Sequence, residues 1–257
     1  MSKFTKGVGF EKDLVRLPGQ SVSESLLDYV QDKVDSDLLV ISVSVALLIF
    51  VWIDQLFPVT NPVLVSIIMV ATILVSAYRL RNATKRMQNL RQGRDGERYV
   101  GQLLEGMRKD GNIVFHDVIA ENFNIDHVLI GPKGIYVIET KTWGKGSGKG
   151  SITYKDGVFK LNGQILDKNP LDQAKANTKW FSEFLKESTG KAFSVSPVVV
   201  LPGWFIEKDD TKRAERDGVL LLNPKVLSVF INNGKGELSN EDVHLTSFHT
   251  ARYVKSK

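Results

Sequence analysis

The stretch NIDHVLIGPKGIYVIETK, residues 124–141, decides the fold of this chain. Two apolar runs flank the turn GPKG at 131–134, a pattern that predicts two antiparallel strands joined as a hairpin. If the two glycines of the turn face each other, Asp126 lies opposite Glu139, with Cβ atoms roughly 4.5–5.5 Å apart. Lys141 follows Glu139 by two residues and therefore points to the same face. The sequence thus predicts that two acids and a lysine converge where an otherwise apolar hairpin ends.

These three side chains indicate a metal site. Two carboxylates at this distance repel each other unless a cation lies between them or one of them is protonated. Oxygen ligands of this kind suit Mg²⁺ or Mn²⁺, so we expect Asp126 and Glu139 to bind the metal. Lys141 would orient a water molecule or stabilise developing negative charge. The chemistry predicted from these residues is metal-assisted hydrolysis of a phosphodiester bond.

A second acid-x-lysine triplet occurs at Asp210-Thr211-Lys212. It lies within the charge-dense segment EKDDTKRAER, residues 207–216, and no strand pattern presents it. We therefore expect a solvated loop there, without a partner carboxylate.

The rest of the second half predicts an α/β domain. GRDGERYVGQLLEGMRKDG, residues 93–111, has apolar residues at helical spacing and a glycine stop. Asn169 and Pro170 are typical of a helix N-terminus, and the helix is expected to continue through FSEFLKES. The strands VSPVVVLP and GVLLL follow, and SNEDVHLTSFHTARYV closes the chain as a helix. This order predicts a mixed central sheet flanked by helices.

The first half carries two uncharged runs, residues 38–53 and 55–78. About 20 apolar residues cross a bilayer, and the turn FPVTNP separates the runs. We predict a transmembrane helical hairpin over 38–79, a polar cytosolic segment over 1–37, a basic connector over 80–92 and the α/β domain over 93–257. The alternative is a pair of buried helices in a soluble protein. The positive-inside rule places both termini in the cytoplasm, at a bacterial cytoplasmic membrane. The basic residues on which this rests are Lys3, Lys6, Lys12, Arg16 and Lys33 before the first run and Arg79, Arg81, Lys85, Arg86, Arg91 and Arg94 after the second.

The composition limits the possible partners and chemistry but does not identify a function. The 257 residues carry a formal net charge of +5, which suits a polyanionic partner or an anionic membrane surface. The chain has no cysteine. Disulfides, thiolate catalysis and cysteine-bound zinc are therefore excluded.

Three segments together resemble a known family. GRDGERYVGQLL, NIDHVLIGPKGIYVIETKTWGKGSG and NPLDQAKANTKW look like the nuclease-related domain, NERD, over about residues 93–205. That family belongs to the PD-(D/E)XK nuclease-like superfamily. The resemblance implies a restriction-endonuclease-like core and a metal-dependent nuclease acting on DNA or RNA. The family's catalytic positions fall here on Glu97, Asp126, Glu139, Lys141 and Gln173.

The two outlying positions also have simpler interpretations. Glu97 could bind metal or orient Lys141, or it could complement the helix dipole as a first-turn acid. Gln173 could hydrogen-bond a phosphate or the attacking water, or it could be an ordinary solvated side chain.

Contacts to nucleic acid are expected beside the site. Lys145 and Lys149, in the Gly/Lys-rich loop, could contact the phosphate backbone, although a solvated linker would have the same composition. Trp143 could stack on a base or pack against the domain. His127 points away from Asp126, which favours a structural role. Two functions remain open at this point: a membrane-anchored nuclease, and a catalytically silent nucleic-acid-binding or adaptor module on the same fold.

Overall fold

The structure is a computed structural model that describes residues 16–53, 62–144, 151–166, 169–234 and 236–256. The chain divides into two units. Residues 21–92 form a helical unit, and residues 16–20 join those from 93 onward in an α/β unit.

The helical unit is an antiparallel hairpin. Helix α1 spans Gln20–Tyr29, a π-helical turn follows at Val30–Asp35, α2 spans Ser36–Ile53 and α3 spans Pro62–Glu105. The Trp52 indole donates to the Ser66 hydroxyl at 3.0 Å, Arg79 pairs with Asp37 at 3.4 Å, and the Arg86 guanidinium lies 4.7 Å from the centre of the Tyr29 ring. In these three pairs the residue number on the α1–α2 side falls from 52 to 37 to 29 while the number on α3 rises from 66 to 79 to 86, as expected of antiparallel helices. Small residues fill the contact: Ser44, Ser76 and Ala83 are buried.

The outer surface of this hairpin is apolar along α2 and along α3 as far as Tyr78. One stretch among the described residues, Val63–Asp110, contains a helical window long and apolar enough to cross a membrane, with a mean hydropathy of 2.2. This finding rests on length and composition alone. Large apolar side chains of α2 are exposed as well, including Leu39, Ile49 and Phe50. The predicted FPVTNP turn lies outside the described residues except for Pro62, which begins α3.

The α/β unit contains eight strands among its described residues. They are β1 (Ile113–Ile119), β2 (Asn124–Gly131), β3 (Gly134–Thr140), β4 (Ile152–Lys155), β5 (Val158–Leu161), β6 (Gln164–Ile165), β7 (Val195–Val200) and β8 (Leu220–Leu222). The central sheet has the order β1-β2-β3-β7-β8, and β4, β5 and β6 form a small separate sheet. β1, β2 and β3 are antiparallel neighbours, whereas β7 and β8 add in parallel. The predicted mixed sheet is confirmed.

The β2–β3 hairpin has the predicted register. Gly131 pairs with Gly134, and Val128 pairs with Val137. The last paired residues are His127 and Ile138, one step before Asp126 and Glu139. The two turn glycines between apolar runs therefore suffice to predict the alignment of the strands.

Helices cover both faces of the central sheet. They are α3, α4 (Pro170–Thr189), α5 (Lys208–Arg216), α6 (Pro224–Asn232) and α7 (Asn240–Lys255). Val100 and Leu104 of α3 pack on one face of the sheet, and Phe181 and Leu185 of α4 pack on the other. The predicted start of α4 is confirmed, since the Asn169 side chain accepts the Leu171 N–H at 3.0 Å.

The segment around Asp210 was predicted wrongly as a solvated loop. It forms α5, and Asp210 is buried there beside Ala214. The Asp210 carboxylate accepts the Tyr154 N–H at 3.0 Å and pairs with Arg213 at 2.9 Å. The carboxylate is thus satisfied by the edge of the small sheet, a tertiary contact that the charge density of the segment does not reveal.

A buried histidine pair joins β1 to β2. His116 Nδ1 and His127 Nδ1 are 2.9 Å apart, and His116 Nε2 lies 2.8 Å from the Glu105 carboxylate. Burial lowers the pKa of His127 well below its usual range, and His116 lowers it further. Burial also lowers the pKa of His116, although Glu105 opposes that effect. The structural role expected for His127 is confirmed, and the pair is held neutral.

We predict that this pair makes the protein less stable in acid. The unfolded chain binds protons below about pH 6.5, whereas the folded pair resists them until lower pH, so the free energy of unfolding falls as the pH falls through this range. His127→Leu loses one hydrogen bond, at a cost of about 1 kcal/mol at pH 8, but its stability should change less between pH 8 and pH 5.5. Denaturant unfolding at both pH values measures this. His244→Leu, at an exposed position, is the control, and equal pH dependence in all three proteins would contradict the prediction.

Candidate functional site

The position of the site depends on a close contact between Gly96 of α3 and Thr142, which lies just after β3. A Cβ at position 96 would overlap the Thr142 side chain, directly after Lys141. Only glycine permits the helix backbone to lie this close. Gly96 therefore places its neighbour Glu97 beside the strand end that carries Glu139 and Lys141.

Asp126 is held by the backbone of the adjacent strand. Its Oδ2 accepts the Thr140 N–H at 2.7 Å. Part of the residue reaches the surface, but the carboxylate itself is enclosed, and burial raises its pKa well above the usual range. The Glu139 and Glu97 carboxylates raise that pKa further. Asp126 is thus fixed in place and short of positive charge.

Glu139 forms the centre of the site. It is 1% exposed, its Oε1 lies 2.6 Å from Lys141 Nζ, and its Oε2 accepts a hydrogen bond from Asn177 Nδ2 at 3.1 Å. Burial raises the pKa of Glu139, against the opposing effect of Lys141. For Lys141, burial disfavours the ammonium, but Glu139, Asp126 and Glu97 outweigh it and the pKa is raised. Lys141 therefore stays charged.

Glu97 completes the acidic group from α3. Burial is the largest cause of its shift, followed by the Asp117 and Glu139 carboxylates, and together they raise the pKa of Glu97 to about 7. A carboxyl group in this range exchanges its proton near neutral pH. This fits a part in the chemistry better than a solvated first-turn acid, because α3 began more than 30 residues earlier, at Pro62.

Helix α4 reaches the site through a residue that the sequence analysis did not select. Asn177, 3% exposed, donates to Glu139 from the middle of the helix. Gln173 lies one turn earlier and is half-buried; within the described ranges its side chain makes no hydrogen bond to the acids or to Lys141. The spacing of four residues between Gln173 and Asn177 was the available signal, since it puts both on one helix face.

The predicted nucleic-acid contacts have different outcomes. Trp143 packs against Phe159 with ring centres 5.7 Å apart, which is the packing alternative. Lys145 and Lys149 lie outside the described residues. Stacking of Trp143 on a base, like the two lysine contacts, stays a prediction.

The donor set fits a divalent cation bound by two carboxylates. Glu139 contacts the Lys141 ammonium, and Asp126 and Glu97 lie near enough to raise its pKa, so two negative charges remain uncompensated when all are ionised. Across the described segments, no three His, Cys, Asp or Glu side chains converge as a ready-made metal cluster. Mg²⁺ in phosphate-handling sites takes one or two carboxylates and completes its shell with water and substrate oxygens. Asp126 and Glu139 match that requirement.

These features define a mixed α/β domain with an enclosed acid-and-lysine site at a strand end, an arrangement suited to phosphodiester chemistry. The family model described as nuclease-related domain, NERD, matches residues 92–202. The match covers the last part of α3, which carries Glu97, together with β1, β2, β3, α4 and β7, and it therefore includes every site residue. This supports the resemblance seen in the sequence. No curated protein and no solved structure matches the chain.

We predict that Asp126→Asn stabilises the protein when no metal is added. A carboxyl group whose folded pKa is raised lowers the free energy of unfolding as the pH rises through that pKa. Asparagine keeps the acceptor for the Thr140 N–H but removes the enclosed charge. The expected gain is about 1 kcal/mol at pH 8 and vanishes near pH 4. Thermal unfolding with EDTA measures it, and Glu121→Gln, at an exposed position, is the control. A lower stability of Asp126→Asn at pH 8 would contradict an enclosed, charged Asp126.

Proposed function

We propose that the protein is a membrane-anchored, divalent-metal-dependent nuclease that hydrolyses phosphodiester bonds in DNA or RNA on the cytosolic side. The observation that carries this is the Glu139–Lys141 ion pair of 2.6 Å beside the enclosed Asp126 carboxylate. It lies within the segment that matches the nuclease-related family. Three acids around one lysine at a strand end have no evident structural use, because burying them lowers stability.

Asp126 and Glu139 would hold the metal, Mg²⁺ or Mn²⁺. When bound, such an ion polarises a phosphoryl oxygen and lowers the pKa of its water. The chain's own residues prepare this. The Thr140 N–H orients Asp126, and Asn177 and Lys141 each fix one oxygen of Glu139.

Proton transfer falls to Glu97 in this proposal. Its pKa of about 7 lets it accept a proton from water or return one to a leaving oxygen at neutral pH. Lys141 keeps its charge and can neutralise the oxygen on which negative charge develops. Gln173, half-buried on the same side of α4, is proposed to hydrogen-bond the phosphate or the attacking water.

We expect the full chain, purified in detergent, to cleave DNA or RNA with Mg²⁺ or Mn²⁺. Asp126→Ala and Lys141→Ala should each lower kcat by about 10³-fold or more, because the first removes a proposed metal ligand and the second removes the charge that neutralises the reacting oxygen. EDTA should abolish cleavage. Gel assays with labelled single- and double-stranded DNA and RNA measure this.

The second triplet provides a matched control. Lys212→Ala, at an exposed position of α5, should leave cleavage unchanged. Cleavage that survives Asp126→Ala and Lys141→Ala would refute the site. Nucleic-acid binding without cleavage in the unaltered chain would favour the silent binding module.

The proposed anchor is a two-span hairpin made by α2 and the first part of α3. Its support comes from residues 16–20, which lie before the hairpin but belong to the same unit as residues from 93 onward. The Arg16 side chain donates to Asp117 at 2.8 Å. Two segments in direct contact lie on one side of a membrane, so the chain between them crosses an even number of times. Because α3 supplies one candidate span, α2 is the natural second.

The absence of cysteine allows a clean test of this topology. We expect a membrane-impermeant maleimide added to intact cells to label Thr60→Cys, in the predicted external turn, but not Ser256→Cys. After the cells are broken, both variants should react. Labelling of both positions, or of Ser256→Cys alone, in intact cells would contradict two spans with cytosolic termini.

A further inference from the structure

The chain just before the membrane hairpin is built into the α/β unit. We call Arg16–Gln20 the N-terminal strap. Pro18 fills a notch on α3 that exists because residue 101 is glycine, since a Cβ there would overlap the proline ring. Gly19 is buried against Arg94, with a φ of +69° that favours glycine. The Leu17 N–H donates to the Gln20 side chain at 3.0 Å, which closes the strap as a turn.

The strap places the positive charge of Arg16 against a buried carboxylate, that of Asp117. Arg16 Nε donates to Asp117 Oδ2 at 2.8 Å, and the Asp117 side chain is only 3% exposed. Asn124 donates to the other oxygen of the carboxylate at 3.2 Å. Asp117 has a φ of +50°, a conformation that costs a residue other than glycine energy unless its surroundings hold it. Arg16 and Asn124 supply that hold.

Asp117 also belongs to the acidic row of the site. His116 pairs with His127 and Val118 pairs with Ile125, so Asp117 occupies the register position opposite Asp126. Continuing the β2–β3 register places Asp126 opposite Glu139. Three neighbouring strands thus each contribute one acid to a single row, and Asp117 is the largest charged contributor to the raised pKa of Glu97.

A charge count shows what Arg16 does in this row. With Glu97 added, four carboxylates are present, and two cations, Arg16 and Lys141, balance half of them. The remainder of two negative charges equals the charge of one divalent ion. Without Arg16, the row loses one of these two positive charges, and Asp117 keeps the Asn124 contact at Oδ1 but loses the guanidinium at Oδ2.

We propose that Arg16 is a positioning residue of the candidate nuclease site, supplied by the chain that precedes the hairpin, and that it holds Asp117 in place and offsets the Asp117 charge beside Glu97. This inference rests on the proposed function for its catalytic consequence. In this proposal Arg16 contacts neither the metal nor the substrate. The site is complete only when both ends of the hairpin meet on one domain.

The test is a double-mutant cycle in the full chain, in detergent. Arg16→Ala should lower kcat about tenfold or more, with KM within about threefold, because the strap does not touch nucleic acid. Arg16→Lys should restore part of the rate. Arg16→Ala/Asp117→Asn should recover most of it, since the unbalanced carboxylate is gone. A purely structural strap would show recovered thermal stability in the double variant, because the unpaired buried charge is gone, but it would leave kcat unchanged in every variant assayed at a temperature where that variant is folded. Leu17→Ala, at a residue 67% exposed, is the matched control.

Two readouts do not depend on cleavage. Trypsin should cut the Arg16–Leu17 bond slowly in the unaltered chain and at least about tenfold faster in Asp117→Ala, because a docked bond must first open. The Mn²⁺ dissociation constant should change about threefold or more in Arg16→Ala and return in the double variant.

The outcomes separate the two hypotheses. If the unaltered chain does not cleave, the proposed function fails, and the trypsin and Mn²⁺ measurements still decide the inference. If the unaltered chain cleaves and Arg16→Ala matches it in kcat and in Mn²⁺ binding, the inference is overturned. Equally fast tryptic cleavage at Arg16 in the unaltered chain and in Asp117→Ala would also overturn it.

Discussion

Burying carboxylates next to each other is unfavourable, and much of the α/β unit is arranged around that fact. Glu139 is buried from water, and in place of water one carboxylate oxygen pairs with the Lys141 ammonium and the other accepts a hydrogen bond from the Asn177 amide. Asp126 takes a backbone N–H. These contacts offset part of the desolvation, and the raised pKa values show that the offset is incomplete. A group that remains short of positive charge is a group prepared for a cation or for a proton.

The sheet explains why the acids meet at all. The β2–β3 hairpin is apolar along its length and changes character only at its open end. Because β3 is also parallel to β7, the Lys141 N–H can continue the pairing to Val200 at 3.0 Å. The strand end that carries the site is therefore held by backbone hydrogen bonds, so its side chains are not needed to hold the strand. Gly96 brings α3 close to the same strand end, because a side chain at position 96 would overlap Thr142.

Local patterns in the sequence predicted much of this, and long-range contacts account for what they missed. The GPKG turn between two apolar runs predicted the hairpin register, and Asn169-Pro170 predicted the start of α4. Asp210 was misjudged because its burial depends on the Tyr154 N–H, 56 residues away. Asn177 was visible only as a neighbour of Gln173 on a helix face. The pairing of Arg16 with Asp117, across 101 residues, has no local signature, since a lone arginine in a polar segment looks like any other.

That separation gives the molecule an order of assembly. Synthesis proceeds at about 5–20 residues per second, so Arg16 leaves the ribosome roughly 5–20 s before Asp117 does. During that interval the two apolar helices emerge and the strap has no acid to bind. Arg16 can therefore dock only after Asp117 has been made, and the acidic row gains its arginine only after everything between them has been made. The row is completed only once the helical hairpin has been synthesised.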